Sequence, residues 1–177
     1  MPSIHVCSLA LLPETVRRTG ASHIASLINS ATPVERPADI SPERHLFLGV
    51  SDITAALDGH VLAGESHVAE LLAFIEGWGR KREKPIVIHC WAGVSRSTAA
   101  AFIGACMLAP ETPEEMWARL IRELSPTATP NPHLVELADR LLGRRGRMVK
   151  AIAAIGRGAE AFTGVPFRLD LPPISRG

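Results

Sequence analysis

The sequence contains no tyrosine, only three cysteines, and no apolar run longer than the 11 residues of Ala99 to Ala109. Such a run is too short to span a bilayer and fits a buried helix. Cys7, Cys90 and Cys106 are odd in number and irregularly spaced, which argues against a disulfide framework and for a reducing compartment. Neither CxxC nor HExxH spacing occurs, so the seven histidines compose no metal motif, and no metal or cofactor is expected. No basic stretch precedes the short apolar segment "VCSLALL", against a signal peptide. A net charge of +1 gives no electrostatic footprint for nucleic acid or a membrane surface. What remains is ordinary globular composition, 46% hydrophobic and 21% charged, in a chain of 177 residues. The expectation is a single cytoplasmic domain, 1–177, long enough to bury a substantial core.

Four apolar segments read as strands: "SIHVCSL", "SHIASLI", "RHLFLGV" and "PIVIH", the last apolar throughout and therefore central. "PETVRRTG" reads as a short helix stopped by Gly20. Ser51 to Gly64 has little periodicity and is expected to be a long loop, a common place for function. "ESHVAELLAFIEGW" sets Val68, Leu71, Leu72, Ile75 and Trp78 at helical spacing. After residue 95 the pattern is helical: "RSTAAAFIGACMLA", then "TPEEMWARLIREL", where Thr112 and Glu115 compose a capping box, then "HLVELADRLLG" behind Asn131 and Pro132. Arg144 to Gly156 reads as another helix, and the Gly- and Pro-bearing stretch from Arg157 as irregular. The fold class expected is α/β: a central, mostly parallel sheet of about four to five strands flanked by helices, with a helical C-terminal half.

The junction "HCWAGVSRST" follows the central strand and precedes the Ala-rich helix. A loop there lies at the carboxyl edge of the sheet, where open α/β sheets bind ligands. Ala92, Gly93 and Ser95 are small enough for the backbone to curl with its N–H groups inward. A nest of that kind on a helix N-terminus is an anion site. Arg96 closes it with a planar fork suited to two phosphate oxygens. Cys90 lies at the bottom, where dipoles and positive charge favour thiolate over thiol. An anion cradle containing a nucleophile describes attack on phosphorus.

Cys90, five residues, Arg96 and then Ser97 resembles the signature of the protein tyrosine phosphatase superfamily, and "HCWAGVSRS" is most similar to its dual-specificity branch. The resemblance runs loosely from about residue 4 to 142; nothing matches beyond Gly143. It implies a cysteine-phosphatase fold with its core at about 4–142, followed over 143–177 by a C-terminal helix and irregular tail. It also implies Cys90 as nucleophile, Arg96 as phosphate ligand, the backbone of Trp91, Ala92, Gly93, Val94 and Ser95 as the rest of the cradle, Ser97 as the hydroxyl that steadies the thiolate, and His89 as the residue that orients the cysteine. The family's general acid lies on a separate upstream loop. Asp52, directly after the third strand and 38 positions before Cys90, is the assignment made here; Asp58, 32 positions before it in the turn "LDGH", is the alternative.

The substrate expected is a phosphotyrosine protein, with phosphoserine and phosphothreonine as further targets. No Lys or Arg lies between Cys90 and Arg96, unlike the inositol-lipid branches, and the lack of tyrosine agrees with a shallower site. A small-molecule or nucleic-acid-end phosphatase, a non-catalytic phosphate-binding module and a rhodanese-like sulfur transferase are the alternatives. Cys7 is read as a buried strand residue rather than a redox partner of Cys90. Cys106 is read as core, His60 and His67 as solvated loop residues, and "RRGRMVK" as a solvated helix face. Trp91 is placed at the pocket wall.

Overall fold

A computed structural model describes residues 3–81 and 83–173. Its strands are β1 (Ser3–Ser8), β2 (His23–Ile28), β3 (His45–Gly49), β4 (Ile86–Cys90) and β5 (Phe167–Asp170). They form one sheet in the order β3-β2-β4-β1-β5. β1 to β4 run parallel, and β5 is antiparallel to β1. Every residue of β4 is buried, as a central parallel strand requires when both faces are covered. The burial of β3 and β5 alternates, because each lies at an edge.

The helices are α1 (Leu12–Thr19), α2 (Glu65–Gly79), α3 (Arg96–Leu108), α4 (Glu114–Leu124), α5 (Pro132–Leu141) and α6 (Arg147–Ile155). One face of the sheet, with Ile4, Val6, Leu27, Ile86 and Ile88, packs into the main core with residues from α2 to α6. The other face packs Cys7, Ile24 and Val87 against Leu12 and Val16 of α1. α3 is buried from Arg96 to Cys106, which its small side chains allow: Ala99, Ala100 and Ala101 bring its backbone close to the sheet. Removing a large side chain such as Ile103, which is fully buried, would cost about 2–5 kcal/mol.

Three expectations are corrected here. The stretch after Arg157 is not wholly irregular, since residues 167–170 form β5 on the free edge of β1. Pro113, with ψ 140°, is the N-cap of α4, so the helix starts at Glu114 and the Thr112–Glu115 capping box does not form. The "RRGRMVK" basic run is not simply a solvated face: Arg144 and Arg147 both hold the buried carboxylate of Glu114 at 3.1 Å, and Arg144 also donates to Cys106 O at 2.7 Å. No helix among the described residues is long and apolar enough to cross a membrane.

Candidate active site

β4 ends on Cys90 and α3 begins on Arg96, so residues 91–95 must turn the chain sharply at the carboxyl edge of the sheet. Four of their five carbonyls are taken up by donors from elsewhere in the chain. Trp91 O accepts from Leu9 N at 3.2 Å, Ala92 O from Gly164 N at 2.8 Å, Val94 O from Thr129 N at 2.9 Å, and Ser95 O from Asn131 N at 3.3 Å. Carbonyls bonded in this way leave the loop's amides free to serve an anion at its centre. Gly93 N donates to Cys90 Sγ at 3.3 Å.

Glycine at 93 is required twice over. Its φ is +73°, and a Cβ there would lie 2.8 Å from the carbonyl carbon of Cys7. Gly164 presses on the same loop from outside, where a Cβ would meet Gly93 O at 2.5 Å. Ser95 stands at the N-cap of α3 but does not cap it; its hydroxyl donates to Asp52 Oδ1 at 2.7 Å instead. The first amides of α3 therefore stay available to an anion on the helix axis.

Cys90 is only 2% exposed. Ser97 Oγ lies 3.1 Å from its sulfur and donates to it when the sulfur is a thiolate. Arg96 is buried beside them. Its Nη1 is tied to Val50 O at 2.8 Å and Asn29 Oδ1 at 3.2 Å, after β3 and β2 respectively. Its Nε is buried with no partner. The guanidinium is thus anchored by one nitrogen with another edge of the fork uncommitted, an arrangement suited to a bidentate oxyanion.

His89 sits behind the cysteine in a hydrogen-bonded line across the sheet. Its Nε2 lies 2.6 Å from Ser26 Oγ, and Ser26 Oγ lies 2.8 Å from His45 Nε2. Its Nδ1 lies 3.3 Å from Cys90 O, which can only accept. Nδ1 therefore carries the proton of the neutral ring, Ser26 donates to Nε2, and His45 donates to Ser26. Burial pushes the His89 imidazole down to about 4. Burial, with Arg36 nearby, also lowers His45. His89 is accordingly a neutral positioning group and not a cation paired with a thiolate.

Asp52 reaches the rim of the cradle from the long loop after β3. Its Oδ1 accepts from Ser95 Oγ and, at 2.9 Å, from Asn131 Nδ2. Asn131 holds both sides of this corner, because its Oδ1 caps α5 by accepting from Leu134 N at 3.1 Å. Asp58 lies in an exposed turn, where its carbonyl meets His60 Nδ1 at 3.1 Å, and no hydrogen bond joins its carboxylate to the cradle among the described residues.

The other candidates fall outside the cluster. Trp91 contributes its backbone, while its side chain is 56% exposed and does not line the cavity beside the cradle. Cys7 pairs in register with His89, and Ser8 with Cys90, so the two cysteine side chains leave neighbouring strands toward opposite faces. Burial pushes the Cys7 thiol up to about 11 and the Cys106 thiol up to about 12. His67 caps α2 by accepting from Gly64 N at 3.0 Å. The residues that sequence reasoning passed over are Ser26, Asn29, His45, Thr129 and Gly164. Each lies far along the chain from the motif it supports, and none has a local pattern that marks it. Asn131 was visible only as a helix cap.

Residues 58–125 match the family model described as protein-tyrosine phosphatase. No curated protein matches the sequence. Among solved structures, DUSP15 superposes with a TM-score of 0.63 at 20% identity, over 87% of this chain and 92% of its own. Human DUSP28 gives 0.61 at 18% identity, over 88% and 97%. The PTP-2 phosphatase of Cydia pomonella gives 0.61 at 22% identity, over 77% and 84%. At these identities the likeness is one of fold.

Proposed function

We propose that the chain is a phosphatase of the protein-tyrosine phosphatase superfamily, a reading supported by the family-model match over residues 58–125 and the dual-specificity-like fold, and that it hydrolyses phosphomonoesters through a phosphocysteine at Cys90. Phosphotyrosine on proteins is the substrate assigned, with phosphoserine and phosphothreonine within reach of the same chemistry. The observation that carries this reading is the cradle itself: four loop carbonyls held by remote donors, a sulfur that accepts from Gly93 N, and a buried arginine with an uncommitted Nε.

In the first step the Cys90 thiolate attacks phosphorus, and the S–P bond forms as the P–O bond to the leaving group breaks. Inward amides and Arg96 hold the three non-bridging oxygens and stabilise the charge that spreads over them. Asp52 supplies the proton to the leaving oxygen. Its Oδ1 can accept from Ser95 and Asn131 in either protonation state, so the transferable proton resides on Oδ2. In the second step water attacks the phosphocysteine, Asp52 takes its proton, and the S–P bond breaks. The departing thiolate is then held by Ser97 Oγ–H and Gly93 N–H. His89 fixes the Cys90 backbone from behind through its Nδ1–H.

The test is hydrolysis of a chromogenic aryl phosphate at mildly acidic pH with EDTA present, comparing wild type with Cys90→Ser. Turnover that survives EDTA and is lost in the variant, with vanadate binding retained, is the expected result. Turnover by Cys90→Ser removes that residue from the nucleophile role. Vanadate binding by a well-folded wild type that hydrolyses nothing would make the domain a phosphate-binding module instead.

A further inference from the structure

A cavity of about 970 Å³ opens directly beside the cradle. One end is formed by Asp52, Val94 and Ser95, which also build the cradle and its rim. The far walls are Pro130 and Pro132, then Val149, Ile152 and Ala153 of α6, and finally Phe162. The only other charged residues lining it, Arg157 and Glu160, form an exposed pair at 3.6 Å and neutralise one another.

The outer wall is tied to the cradle rather than loosely laid over it. Gly158 N donates to Thr129 Oγ1 at 3.0 Å, Ala159 N to Pro126 O at 2.9 Å, and Val165 N to Thr127 Oγ1 at 3.0 Å. Gly164 N then closes onto Ala92 O of the cradle itself. The cleft is therefore preformed. Phe162 is held on this wall 91% exposed, an apolar ring facing water with almost nothing of its own chain to cover it. All of α6 and this segment lie outside residues 58–125, the part of the chain that matches the family model.

We propose that this cleft is the subsite for a large apolar group that the substrate carries beyond its phosphoester oxygen, with Phe162 as the side chain that covers it. The inference rests on the phosphatase reading given above. A general acid must meet the bridging oxygen, so whatever that oxygen is bonded to lies on the Asp52 side of the cradle. The cleft starts at Asp52. Its volume is that of a pocket for a drug-sized group, well beyond a single ring, and its walls are mostly apolar. The one cation in its lining, Arg157, is already paired with Glu160, so nothing in it attracts a second phosphate on the substrate. The apolar group can be an extended aryl moiety or an apolar side chain next to a phosphotyrosine.

The experiment measures kcat/KM of wild type, Phe162→Ala and Ala153→Asp on two pairs of substrates. The first pair is p-nitrophenyl phosphate and 4-biphenylyl phosphate. The second is two phosphotyrosine peptides that differ only in Leu or Gly beside the phosphotyrosine. Phe162 and Ala153 are both exposed, so neither substitution opens the core, and urea midpoints check this. The expected result is a preference of wild type for the larger apolar member, and a fall of at least fivefold in that preference in both variants, mostly through KM. A fall with the aryl pair alone assigns a small aryl ester; a fall with both pairs assigns the peptide side chain. Preferences unchanged within twofold in both pairs overturn the subsite while leaving the phosphatase reading intact. No hydrolysis of any substrate by wild type overturns both.

Discussion

Lowering the pH should unfold this protein partly through one histidine. His89 is fully buried in β4, with Nε2 accepting from Ser26 and Nδ1–H donating to Cys90 O. Its imidazole titrates at about 4 in the folded chain, against 6.5 for an unperturbed ring, because burial penalises the cation. In that window the unfolded chain binds a proton that the folded chain does not. Stability attributable to His89 is therefore complete above about pH 6.5 and declines as the pH falls toward 4. At about 1.4 kcal/mol per pH unit, the interval from 6.5 to about 4 is worth about 3 kcal/mol. His5, His23 and His45 are also lowered by burial and add to the same slope, so wild type alone cannot isolate the effect. The assay is urea unfolding at half-unit steps from pH 7.5 to 4 for wild type and His89→Gln. His89→Gln begins less stable at pH 7.5, because the line through Ser26 is broken. Its stability should then fall with pH less steeply than that of wild type, so that by pH 4 it has lost about 3 kcal/mol less than wild type and its initial deficit has closed by that amount. Parallel curves for the two proteins would falsify the neutral, buried assignment.

Three further outcomes are expected. Arg96→Lys replaces a fork anchored at Val50 O and Asn29 Oδ1 by a single ammonium, and kcat/KM for an aryl phosphate should fall about 100-fold or more, with vanadate binding weakened alongside; kinetics within threefold of wild type would contradict the cradle. Asp52→Asn should slow turnover by about 100-fold for poor leaving groups and much less for good ones, while Asp58→Asn leaves both unchanged; the opposite pattern moves the acid to Asp58. Gly93→Ala must accept a φ of +73°, at about 1–2 kcal/mol. It must also accept a methyl against the Cys7 backbone, so the melting temperature should drop by several degrees and vanadate binding should be lost; an unchanged melting temperature refutes the close approach.

The loop from Cys90 to Ser97 was legible because it is local. A strand, a turn of small residues and a helix N-terminus are contiguous, and Cys90, Arg96 and Ser97 fall within eight positions. The strands β1 to β4 and the helices were legible for a related reason: each carries its own periodicity and its own stop signals, such as Gly20 and Asn131. β5 was not, because four residues carry too little alternation to stand out between glycines and prolines, and they become a strand only by pairing with the free edge of β1. The failed capping box at Thr112 has the same origin in reverse: a good local pattern was overruled by the backbone angle of Pro113.

The sequence by itself therefore determined the alternation of strands and helices, the position of the loop between β4 and α3 and the residue types gathered in it. Only the tertiary structure decided what holds that loop open. The carbonyls of Trp91, Ala92, Val94 and Ser95 are satisfied by Leu9, Gly164, Thr129 and Asn131, the arginine is fixed by Asn29 and Val50, and the histidine behind the cysteine is oriented by Ser26 and kept neutral by its burial. These partners lie up to 81 positions from Cys90 along the chain, at Leu9, and 74 positions from it at Gly164. Hydrogen bonds of this kind depend on distance in space alone, so no spacing in the sequence records them until the sheet order has brought the segments together.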